Sequence, residues 1–119
     1  MEKLNLSPVV WGNSIEFTAT LADENNVAID GSTVSEAWFT GKRAIADLDN
    51  AAVFQVKLTT GGITKAANVL TVKVQNVAAS LTNKSTVLTC DLKVKFSDDF
   101  EAVVARGSLQ VLEAVTLSG

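Results

Sequence analysis

Residues 87–96 alternate without a break. Leu88, Cys90, Leu92, Val94 and Phe96 point one way, and Thr89, Asp91, Lys93 and Lys95 point the other. A period of two is the mark of a half-buried strand. A slip of one residue would bury three charges, so the register is strongly fixed. The same pattern recurs. Ile15, Phe17, Ala19 and Leu21 share one face of 15–21. Phe54, Val56 and Leu58 alternate through 53–59, and Leu70, Val72 and Val74 through 69–75. In 101–112, Val103, Ala105, Gly107, Leu109 and Val111 are expected to face together, with Gly107 marking a bulge or a close backbone approach. The stretch 33–40 is β-prone, and Trp38 is expected to fill the core as its large aromatic. Pro8 places the first segment, 3–11, at an edge or bend.

Turn-forming clusters separate these runs: Gly12-Asn13, 23–26, Asp30-Gly31, 47–50, Gly61-Gly62, Asn83-Lys84 and 97–99. Two short Ala-rich stretches, 44–52 and 76–81, could each form a helical turn but are too short to stand alone. The spacing is that of an all-β sandwich or barrel of about seven strands. The chain has 119 residues, which fits a single domain over 1–119.

Composition narrows the chemistry. The chain carries ten Lys plus Arg and thirteen Asp plus Glu, a net charge of −3, which argues against a mainly electrostatic nucleic-acid binder. It has no His and one Cys, so most acid–base, zinc and thiol chemistries lose their usual residues. Cys90 cannot form an internal disulfide and reads as a small buried hydrophobe. The N-terminus lacks the apolar stretch of a secretory signal, and no run is long enough for a membrane span.

The carboxylate pairs Asp23/Glu24, Asp47/Asp49 and Asp98/Asp99 all fall in turns, where Asp serves the backbone. A calcium loop at Asp47, Asp49 and Asn50 departs from the EF-hand spacing. Thr40-Gly41-Lys42 lacks the upstream Gly, the following Ser or Thr and the helix of a phosphate loop. A Ser–Lys nucleophile is disfavoured because the lysines occupy solvent faces or turns. Trp11, Trp38 and Phe100 are the aromatics that could stack on a sugar. No enzyme, metal or cofactor is therefore expected.

The order of motifs carries a resemblance. Gly12-Asn13-Ser14-Ile15-Glu16-Phe17-Thr18-Ala19-Thr20-Leu21 precedes the connection from Asn25 to Val34. Cys90-Asp91-Leu92-Lys93-Val94, a turn at 97–99 and Ala105 to Val111 close the chain. This resembles the small immunoglobulin-like β-sandwich of tailed-bacteriophage tail and baseplate proteins, including the N-terminal part of baseplate upper proteins. Asn13 stands where that family tends to have Asp, Ala28 replaces the usual Pro, and the penultimate strand lacks its usual Tyr residues. The resemblance implies an immunoglobulin-like antiparallel sandwich and a non-enzymatic structural or adaptor role in a virion tail, neck or baseplate. The chain would assemble in the host cytoplasm, in several copies, and contact itself or other virion proteins. Nucleic acid, membrane and small-molecule substrates are not implied. The segments 1–11 and 112–119 would act as assembly arms, with Leu4, Leu6, Trp11, Phe100, Leu112, Val115 and Leu117 as contact residues. The alternative is a carbohydrate-binding or adhesin-like module that recognises a cell-surface glycan through exposed aromatics.

Overall fold

The computed structural model describes residues 2–22, 25, 27–44, 52–77 and 81–115. Nine strands are seen among them: β1 (Glu2–Asn5), β2 (Val9–Val10), β3 (Ile15–Thr20), β4 (Val34–Lys42), β5 (Phe54–Lys57), β6 (Ile63–Ala66), β7 (Val69–Val74), β8 (Thr86–Phe96) and β9 (Glu101–Leu112). One 3₁₀ turn, Gly31–Thr33, leads into β4. The count exceeds seven for two reasons. Pro8 cannot continue a ladder, so the first segment splits in two. A short strand, β6, fits between Gly62 and the Ala67-Asn68 turn.

Two sheets pack face to face. The large sheet runs β1-β9-β8-β4-β5, with β2 also on β9, and the small sheet runs β3-β7-β6. Consecutive strands thus change sheets between β2 and β3, β3 and β4, β5 and β6, and β7 and β8. This is the Greek-key connectivity of an immunoglobulin-like sandwich. The sandwich is antiparallel except at its first segment. β1 and β2 both run parallel to β9, with Leu4 opposite Gly107 and Val9 opposite Val111. The first segment thus forms one interrupted edge strand, paired over Glu2–Asn5 and Val9–Val10. Gly107 allows that approach, because a Cβ there would collide with the Leu4 carbonyl oxygen.

The core is the inward row of each strand. Leu88, Cys90, Leu92 and Val94 of β8 are fully buried, as their alternation requires. They meet Leu70 and Val72 of β7 and Ile63 of β6 within one cluster. Phe39 joins the sheets. It meets Phe17 of β3 edge-on at 4.9 Å between ring centroids and Phe54 of β5 at 5.3 Å.

Phe39, and not Trp38, is therefore the core aromatic: Phe39 has no exposed surface and Trp38 is half-buried on the opposite face. A register shift between Val34 and Glu36 explains the exchange. A bulge adds one residue and reverses which residues point inward beyond it. Val34 and Ala37 both face the core as a result. A second shift lies where β8 passes from Leu92 to Lys93, opposite Ala105 and Val103. It turns Val103 outward and leaves Val104 against the core, contrary to the simple alternation expected there.

Candidate functional site

The outer face of the large sheet is built in rows, because residues opposite one another in the ladder share a face. One row reads Lys57–Trp38–Lys93–Val103 across β5, β4, β8 and β9. The next reads Gln55–Thr40–Asp91–Arg106–Lys3 and reaches β1. Above them Glu36 stands opposite Lys95, which stands opposite Glu101. Trp38 thus has a lysine directly across from it on each side. Among the described residues, nothing accepts a hydrogen bond from its indole N–H.

Around it lies a shallow groove of about 310 Å³, lined by Trp38, Thr40, Gln55, Asp91, Lys93 and Glu101 among others. Several walls are tied in place. Gln55 Nε2 donates to Thr40 Oγ1 at 3.0 Å. Lys93 Nζ pairs with Glu101 at 2.9 Å, and that lysine holds the Glu101 carboxyl below its ordinary range. Glu36 has a different duty. Its carboxylate accepts from the backbone N–H groups of Ala37 at 3.0 Å and Thr59 at 3.1 Å, and from the Thr59 hydroxyl. Burial pushes this carboxyl up, but those donors outweigh it and hold it below the usual value. It fastens the turn where the chain leaves the large sheet.

Cys90 underlies the groove but faces the core. Burial, with the neighbouring Asp91 charge, pushes its thiol up to about 12. It is an inert core thiol, because the thiolate is the reactive form.

The sequence-derived contact residues fall in different places. Leu4 is buried in the sandwich, and Leu6 and Trp11 pack against the core. Trp11 also donates its indole N–H to the Leu81 carbonyl at 3.0 Å, so its polar end is spent internally. These three are held by this chain's own packing, because the first segment is an edge strand. Phe100 is 63% exposed at the β8–β9 turn, where it stacks on Phe96. Leu112 is half-buried and Val115 fully exposed, both beyond the middle of β9. Leu117, the Asp47/Asp49/Asn50 cluster and the Asp23/Glu24 pair lie outside the described residues, as do most of 44–52 and the middle of 76–81.

An apolar corner emerges that the sequence alone did not assemble. Val10 stands beside Leu112 in register, and Val87 stands opposite Gln110 on the same outer face. Val10 and Val87 are both exposed. Next to them the chain is pinned by Asn83, whose side-chain amide donates to the Ala114 carbonyl at 2.9 Å and accepts from the Ala114 N–H at 2.8 Å. The clamp fixes Ala114, and the fully exposed Val115 follows it directly in the chain.

Asp98 and Asp99 act as turn residues. Asp98 accepts from the Phe100 N–H, and Asp99, with φ of 69°, pairs with Lys95 at 3.6 Å. Among the described residues no three His, Cys, Asp or Glu side chains converge to hold a metal. No helix in them is long and apolar enough to cross a membrane. Comparison with protein families, with curated proteins and with solved structures finds no match to this chain.

Proposed function

We propose that this chain is a non-enzymatic structural or adaptor module of a bacteriophage virion, acting through protein–protein contacts in several copies. The carrying observation is the apolar corner of Val10, Val87 and Leu112, with the exposed Val115 three residues beyond Leu112 in the chain. Exposed apolar groups gathered in one place favour a contact surface, whereas scattered ones need no explanation. The motif order from Gly12 to Val111 supplies the virion part of the reading, and the immunoglobulin-like connectivity agrees with it. The corner draws on both terminal segments, Val10 from the first and Leu112 from the last, although most of the first segment is paired within the sandwich.

The test is the native mass of the assembly that holds this chain, isolated under mild conditions. A particle with many copies is expected, and a free monomer would overturn the reading. Val115→Asp together with Val87→Asp should weaken incorporation while the isolated domain keeps its melting temperature. Removing 115–119 should do the same, because the Asn83 clamp on Ala114 is left intact.

A further inference from the structure

We propose that the outer face of the large sheet binds an acidic saccharide, with Trp38 as the stacking floor. This is a second role, separate from the apolar corner and independent of the virion assignment.

Charge carries the first part. Six cations stand on this face: Lys3, Lys42, Lys57, Lys93, Lys95 and Arg106. Four carboxylates lie on or beside it: Glu36, Asp91, Glu101 and Asp99, the last two paired with Lys93 and Lys95. The whole chain is net negative, with thirteen acids against ten bases. Most of the cations have thus been placed on one surface of an acidic protein. Such segregation sets up a local positive field that concentrates anions.

The groove carries the second part. A positive face alone would take any polyanion. Here a half-buried indole lies on the floor with a lysine opposite it on either side, on strands about 4.8 Å away. An aromatic with an apolar face and a polar handle suits a ligand that offers both C–H and O–H groups. A pyranose ring offers C–H groups on its face and hydroxyls at its rim. Gln55, Thr40 and Asp91 stand in the adjoining row, where those hydroxyls would fall. The volume of about 310 Å³ suits one or two sugar rings and is at the lower end for small-molecule sites. A carboxylate on the ring would then meet Lys57, directly across from Trp38.

Trp11 lies outside this groove and packs against the core, with its N–H on the Leu81 carbonyl. Phe100 stands apart at the β8–β9 turn.

The experiment titrates the full chain with trigalacturonate, followed by calorimetry and by the indole N–H signals in NMR. Three probes serve as comparisons: its fully methyl-esterified form, a trimer of glutamate, and a short oligothymidylate. Trigalacturonate should move the Trp38 indole signal and leave that of Trp11 in place. It should bind about tenfold more tightly than the ester at low salt, and the gap should close as salt rises. Trp38→Ala should weaken it about tenfold. Lys57→Glu, which leaves the indole in place, should remove the preference for the acid over the ester. Equal binding of triglutamate or the oligothymidylate would overturn the saccharide assignment. So would trigalacturonate binding that survives Trp38→Ala with the domain folded, or no binding of trigalacturonate at all.

Discussion

The two sheets present the same kind of inner face and very different outer ones. On the small sheet, Thr18, Thr71 and Thr64 stand in direct register across all three strands, and Glu16 stands opposite Lys73. That face is polar and balanced in charge. The large sheet turns outward a tryptophan, a surplus of lysines and a groove. Threonine rows solubilise a sheet and suit its β-propensity, and they ask for nothing further. A half-buried tryptophan among lysines is not needed for solubility. The difference separates a face that completes the fold from the one on which we propose that an acidic saccharide binds.

The comparison can be broken first at the junction of the sheets. Phe39→Ala removes the ring that contacts both Phe17 and Phe54 and should cost about 3–5 kcal/mol. Calorimetry should show one transition at lower temperature, since a shared core makes the sheets cooperative. Two separate transitions would mean that the sheets are independent units.

Gly107→Val tests the width of the large sheet. Its side chain would strike the Leu4 backbone, so β1 should peel from β9 at a cost of about 2–3 kcal/mol. Hydrogen exchange should then accelerate at 3–5 while β8 stays protected. Uniform acceleration would show that the edge strand is integral to the whole domain.

A smaller effect is expected at Glu36. Its folded-state carboxyl sits below its ordinary 4.5, so its stabilisation is present above that pH and is lost as pH falls through the folded value. Glu36→Gln should cost about 1 kcal/mol at neutral pH and shrink that loss on acidification. An unchanged acid profile would place the acid sensitivity elsewhere. Thr71→Val, at the centre of the threonine row, should change stability by less than about 0.5 kcal/mol. A larger change would show that the small sheet's outer face is not inert.

Much of the architecture was legible in the chain. The alternation in 87–96 placed Leu88, Cys90, Leu92 and Val94 inside and its lysines outside, because every charge there vetoes the other register. The strands at 15–20 and 69–74 were legible for the same reason. The exchange of Trp38 for Phe39 was not, since it turns on one extra residue near Ser35 whose only sign is the cross-strand register. Val103 and Val104 changed faces through the same effect. Parallel pairing of the first strand with the last leaves no local pattern at all. The groove was hidden for a related reason: Lys57, Trp38 and Lys93 come from three separate strands and meet only when the ladder is laid down. The glycan alternative was legible as a set of aromatics, but the chain could not say which of them keeps its polar edge unspent.

The docking of β1 on β9 has a consequence for how the chain is made. Residue 2 pairs with residue 105, and β9 lies between β8 and β1. During synthesis both neighbours of β9 must therefore wait, unpaired on that side, until the final dozen residues of the ladder emerge. Pairings this distant in sequence are slow to form and leave strand edges open in the interval. A nascent chain stalled before residue 101 would leave β1 undocked and one edge of β8 open. It would be a sticky fragment and not a partly working domain.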